Sequence, residues 1–155
     1  MAPNIDPQCH HCHNAIETPG HLLFSCPVSQ EFWKFSFTFI SSFSSTSSQS
    51  TPSLSNILTP FCSSSLSSTP IITCISIAQW TIYRSHWATV FDNKVMSAPV
   101  LQSTFLSSLS THLKVRLKQT RKKSSQEVEN LCRDWNSSSL LSLDPDKGLI
   151  FLNPP

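Results

Sequence analysis

Charge is what this chain has least of. Only 13% of its 155 residues are Asp, Glu, Lys or Arg, and the net charge is +2. Apolar residues are also scarce at 39%, against roughly 45–50% in an ordinary globular domain, so a large, well-filled core is not expected. Ser and Thr supply the missing polarity, and part of the chain is expected to be poorly ordered. No run of 18 or more apolar residues exists: the richest stretch, Ile71 to Phe91, is interrupted by Thr73, Ser76, Gln79, Arg84 and Ser85, which excludes a membrane-spanning helix. The first twenty residues hold no apolar run that could act as a secretory signal, so a reducing intracellular setting, nucleus or cytoplasm, is expected for the six cysteines. Cysteine in that setting points to metal before disulfide.

Catalytic signatures are missing as well. There is no acidic pair of the kind that holds two magnesium ions, since Asp144 and Asp146 sit in a Pro-Gly turn without a partner carboxylate. Ser36 with His21, or Cys26 with a histidine, lacks the Gly-rich turn, third orienting group or elbow of a nucleophilic site. The expectation is a non-catalytic protein with no small-molecule substrate.

What is present is unevenly distributed. Residues 1–40 carry four of the six histidines, three of the six cysteines and the aromatics Phe24, Phe32, Trp33, Phe35, Phe37 and Phe39. Residues 41–69 contain fourteen Ser among twenty-nine residues, with Pro52 and Pro60, and read as a disordered low-complexity linker. Pattern returns at Thr69-Pro70, a capping residue followed by proline at a permitted first helical position. Trp80, Tyr83, Trp87 and Phe91 recur at steps of three and four and share one side of the helix that begins there. Ser97 to Pro99 marks the next start, and Leu101, Phe105, Leu109, Leu113 and Leu117, four apart, form its apolar stripe. The two helices are expected to pack antiparallel.

A short helix over Gln126–Trp135, with Val128, Leu131, Cys132 and Trp135 inward, and an irregular tail of turns or extended chain complete the reading. The fold class is therefore small and mainly α. It comprises a Cys- and His-rich module at 1–40, which the spacing of its donors makes a metal-stabilised one, a Ser-rich linker at 41–69, a helical pair at 70–123 ending in a basic run, and a short helix with irregular tail at 124–155.

Cys9 and Cys12 form a Cys-x2-Cys pair, a spacing that lets one tight turn aim two sulfurs at one ion. His21 and Cys26 offer the second pair. Thr18-Pro19 reads as a helix start that puts His21 in a first turn, and five residues is more than one turn, so the pair converges only if the helix breaks at Cys26. Pro27 supplies the reason, because a residue before proline is driven out of helical conformation. Three thiolates and one imidazole close a tetrahedral zinc site of the structural type, whose binding is worth roughly 10–16 kcal/mol of folding energy. His10, His11 and His13 remain alternatives to a named ligand. Cys62, Cys74 and Cys132 have no partner spacing and read as small buried residues.

Taken together, Cys9-x2-Cys12, Glu17-Thr18, His21-Leu22-Leu23-Phe24, Cys26-Pro27 and Phe32-Trp33 resemble the zinc-binding domain C-terminal to the reverse transcriptase of LINE-like, non-LTR retrotransposons. The resemblance covers about residues 8–34. Gln79-Trp80-Thr81-Ile82-Tyr83-Arg84, running to Val90-Phe91, is similar to the Trp- and Arg-containing helix that trails the zinc site in such proteins. The resemblance implies one structural Zn2+ on Cys9, Cys12, His21 and Cys26, and a role beside a polymerase on RNA or DNA. It implies too that the chain is the C-terminal fragment of a retroelement polyprotein.

Six of the eleven basic residues, Lys114, Arg116, Lys118, Arg121, Lys122 and Lys123, fall within ten positions and are the candidate phosphate contacts for RNA or DNA bound without sequence readout. A solvated helix end would carry the same residues, since cations favour a helix C-terminus. The aromatics of residues 32–39, and equally Trp80, Tyr83 and Trp87, could stack on bases but are expected in the core. A zinc-dependent protein-interaction module, docking on a polymerase or on a second copy through the aromatic patch and the Leu101–Leu117 stripe, is the alternative. A decayed reading frame without function is a further one.

Overall fold

Residues 7–43, 69–138 and 140–151 are described by the computed structural model of the protein. The linker expected at 41–69 therefore falls mostly outside the described residues, as does Cys62. The described chain is mainly helical, with the Cys/His cluster near its N-terminus.

The chain enters as a loop. Gln8 and Ile16 form an antiparallel bridge, and the Cys9 amide donates to the Ala15 carbonyl at 2.8 Å. His13, at φ 55°, adopts the left-handed conformation inside that loop. The Thr18 hydroxyl then accepts the His21 amide at 3.0 Å, so Thr18 caps the next turn as its position before Pro19 predicts.

That turn is a π-helix at His21–Ser25, and a 15-residue helix α1 follows at Pro27–Ser41. Cys26 between them is extended at φ −65° and ψ 130°. The break expected at Cys26 is present, and Pro27 does more than end one helix: it occupies the first position of the next, where a missing amide hydrogen costs nothing. Helix α1 turns Phe32, Trp33, Ser36, Phe39 and Ile40 inward, a helical stripe within what the sequence shows only as an aromatic patch.

Helix α2 (Thr69–Asp92) and helix α3 (Ala98–Arg121) start at the predicted signals. Thr69 lies beside Arg116, Gln119 and Thr120, so the start of α2 adjoins the end of α3 and the pair is antiparallel. The four-residue stripe of α3 drifts by about 40° per step, which would carry its ends away from a single partner. All five of its members are nevertheless buried, because α1, α2, α4 and the terminal hairpin all pack on α3. Helix α4 (Ser125–Trp135) opens with the Ser124 hydroxyl accepting the Glu127 amide at 3.1 Å, and it buries Leu131 and Trp135.

The tail is more regular than expected. Strands β1 (Leu141–Asp144) and β2 (Gly148–Phe151) pair antiparallel, Leu141 opposite Phe151 and Asp144 opposite Gly148. The Asp144 carboxylate accepts the amides of Asp146 and Lys147 at 2.8 and 2.7 Å, and Gly148 at φ 85° takes a conformation that glycine adopts without strain. Leu141 and Leu143 alternate inward, which is why so short a ribbon stays folded.

One contiguous core runs from Leu22 through the three long helices to Leu143, larger than the overall composition suggests. The reason is dilution: Ser is concentrated at 41–69, and the remaining segments are correspondingly richer in apolar residues. Phe105 is its hub, with the rings of Phe32, Phe39 and Phe35 at 5.9, 6.1 and 6.4 Å. Phe105→Ala should destabilise the protein by about 3–5 kcal/mol in chemical denaturation, because three rings of α1 lose their contact on α3.

Candidate metal centre

The four cysteine and histidine donors predicted from spacing are brought together. One donor atom from each of Cys9, Cys12, His21 and Cys26 lies within 4.8 Å of every other. Cys12 Sγ is 3.4 Å from His21 Nε2, and Cys9 Sγ is 4.0 Å from Cys26 Sγ. A tetrahedral ion with bonds of about 2.3 Å to sulfur and about 2.0 Å to nitrogen requires edges of roughly 3.5–3.8 Å, so the spacing fits a single ion. Cys9 and Cys26 are wholly buried, while Cys12 and His21 are half-buried at the rim.

Of the four histidines near the thiols in sequence, the structure places His21 with them. His13 is exposed, and His10 turns toward Glu17. His11 is buried with neither ring nitrogen hydrogen-bonded and is not among the donors that cluster with the thiols, whereas His21 is the imidazole beside Cys12.

Burial and neighbouring amides act in opposite directions on the three thiols. Burial pushes the Cys9 thiol up to about 12, against the opposing amides of Cys12 and His11. Burial likewise raises Cys26, with the amides of Ser29 and Val28 in the first turn of α1 acting the other way. At Cys12 burial also acts upward, but amides of Asn14 and Ala15 and the neighbouring thiols outweigh it and the net shift is downward. A divalent ion coordinating all three sulfurs would deprotonate them outright. Three thiolates and one imidazole fill four positions and leave none for water, the pattern of a structural site.

The π-turn that presents His21 is itself held from α1. Within an i to i+5 ladder the Leu22 carbonyl would meet Pro27, which has no amide hydrogen; the Ser29 hydroxyl donates to it instead, at 2.6 Å. Trp33 Nε1 donates to the Leu23 carbonyl at 2.7 Å. Trp33, one of the residues that carry the family resemblance, thus joins the metal loop to the core.

Family models, curated proteins and solved structures return no match to this chain.

Other expected site residues lie elsewhere. Lys114, Arg116, Lys118, Arg121, Lys122 and Lys123 are all exposed at the C-terminal end of α3, and Lys114, Lys118, Arg121, Lys122 and Lys147 border an open groove of ≈ 550 Å³ between α3 and the hairpin turn. Arg121 is partly engaged there, donating to Asp146 at 2.9 Å and to the Pro145 carbonyl. The expected burial of Trp80, Tyr83 and Trp87 is wrong. With Phe91 they project outward from α2, 57%, 46%, 38% and 73% exposed, because Ile71, Cys74, Ile75, Ala78 and Ile82 form the opposite, inward face. The exposed rings make a ladder at 5.8, 5.9 and 5.3 Å, with Trp87 and Phe91 stacked at 13°. The Leu101–Leu117 stripe is consumed within the chain and offers no docking surface.

Sequence reasoning also missed His86. It is buried on α2, its Nε2 is 3.4 Å from Glu17, and its ring stands 5.0 Å from that of Trp87. Nothing in its local pattern separates it from an ordinary helical residue.

Trp33→Phe keeps an aromatic ring but deletes the indole N–H bond to Leu23, so it should cost about 1–3 kcal/mol in denaturation, with the part-buried carbonyl left unpaired.

Proposed function

We propose that this chain is a zinc-stabilised, non-catalytic module of the kind that follows retrotransposon reverse transcriptases, binding RNA or DNA without base-sequence readout. The observation that carries the reading is the closed Cys9, Cys12, His21, Cys26 cluster. Thiolate-rich tetrahedral sets favour zinc among common cellular divalent ions, and the donors that converge are those the family resemblance names.

Two surfaces support nucleic acid as the partner. The outward ladder of Trp80, Tyr83, Trp87 and Phe91 is a stacking platform of the sort that takes unpaired bases, and exposed Arg84 on the same helix adds charge beside it. The groove at the end of α3 gathers five cations around the single carboxylate of Asp146, suited to phosphate. No helix among the described residues is long and apolar enough to cross a membrane. The ladder also favours a second reading, protein docking, since exposed aromatic patches serve that purpose elsewhere.

Metal analysis of the purified protein should find zinc that Cys9→Ser with Cys26→Ser removes from the thiolate site, with loss of helical circular dichroism. Protein purified under reducing conditions without zinc on these thiolates would refute the reading. Affinity for single-stranded RNA or DNA should fall steeply with salt. Replacing Arg121, Lys122 and Lys123 by Ala should reduce the slope of log affinity against log salt by roughly two to three. Salt-insensitive self-association without nucleic-acid binding would favour docking instead.

A further inference from the structure

Beyond the thiolate cluster, we propose that His10, Glu17 and His86 hold a second divalent transition-metal ion, of zinc's chemical class, that ties the N-terminal loop to α2. One donor atom from each residue lies within 4.8 Å of the others. His10 Nδ1 stands 3.4 Å from Glu17 Oε2, and His86 Nε2 stands 3.4 Å from Glu17 Oε1. Both separations exceed the usual range of about 2.7–3.2 Å for an N–H···O hydrogen bond. Each is close to the edge of about 3.3–3.4 Å that a tetrahedral ion imposes on nitrogen and oxygen ligands bound at roughly 2.0–2.1 Å; the two histidines face different carboxylate oxygens, so one of the two separations is such an edge when Glu17 binds through a single oxygen.

The surroundings have the form of a coordination site. The His10 amide donates to Glu17 Oε2 at 3.2 Å and orients the carboxylate, the part an outer-shell donor plays around a metal. The rings of His10 and His11 both stand edge-on to His86, at 5.8 and 6.1 Å. His11 is only 7% exposed, and neither of its ring nitrogens has a hydrogen-bond partner. Two buried, unpaired ring nitrogens are costly in a folded protein, and an ion beside His86 would offer one of them a partner. Two imidazoles and a carboxylate accept a borderline divalent ion, with His11 or water as fourth ligand.

The ion has a structural consequence. His10 and Glu17 belong to the loop carrying Cys9 and Cys12, whereas His86 belongs to α2 and precedes Trp87 of the exposed ladder. Occupancy would fix the metal loop against the helix that presents the aromatic surface.

Titration of the full chain with Co2+ alone separates this site from the thiolate one. Cobalt on three sulfurs gives intense thiolate-to-metal charge transfer, while cobalt on nitrogen and oxygen adds only weak visible bands. The wild type should take up two equivalents, one with and one without charge transfer. Glu17→Gln, close in size to the native residue, should lose the second equivalent and keep the charge-transfer signal, which also reports that the protein remains folded; His86→Ala should do the same. Uptake that stops at one thiolate-bound equivalent and is indifferent to Glu17→Gln would overturn the proposal, as would no uptake at all. A single equivalent without charge transfer, lost in Glu17→Gln but retained in Cys9→Ser with Cys26→Ser, would uphold it while refuting the thiolate site.

Discussion

Pro27 has no amide hydrogen, and the consequences of that one absence run through the molecule. The residue before it, Cys26, is forced to extended backbone; the π-turn therefore ends on its sulfur, and α1 begins immediately beyond. The Cys26 amide still reaches the His21 carbonyl, at 2.7 Å, so the two donors of the second pair share one wide turn. Had the chain continued as regular α-helix, a separation of five residues would have rotated them about 140° apart. The carbonyls released by the break are taken up by Ser29 and Trp33. Metal geometry and core packing thus meet at the first two turns of α1.

The donors were legible because metal chemistry is written in residue type and short spacing. Cys-x2-Cys needs no tertiary information, and the break at Pro27 follows from a local steric rule. Helix starts at Thr18, Thr69 and Ser97 were legible for the same reason, each resting on hydroxyl or proline chemistry within one turn. The inward stripe of α3 could be read because its partners on either side are long helices with matching apolar faces.

Position in the third dimension was harder to read. Helix α2 has two apolar faces, one of small aliphatic residues and one of large aromatics, and periodicity locates both without ranking them. The smaller side chains face inward, where α1 and α3 pack on α2, and the bulky rings are left outside. The hairpin was hidden by its brevity: alternation over Leu141 and Leu143 is too short to register, although Asp144-Pro145 and Gly148 mark its turn. The meeting of Glu17 with His86 was beyond any window, since it joins the N-terminal loop to the far end of a helix that follows the Ser-rich segment.

The antiparallel pair sorts these features into two ends. The C-terminal half of α2 carries the aromatic ladder and, through His86, the contact with the loop of Cys9 and Cys12; the C-terminal end of α3, beside the start of α2, carries the basic groove. A 24-residue helix is about 36 Å long, so the two surfaces are separated by much of the bundle. A single unpaired strand reaching from phosphate contacts at one end to stacked bases at the other would have to follow the helices lengthwise, and a short oligonucleotide could engage only one surface. On the nucleic-acid reading proposed above, affinity for a single strand should therefore rise with its length until both ends are reached.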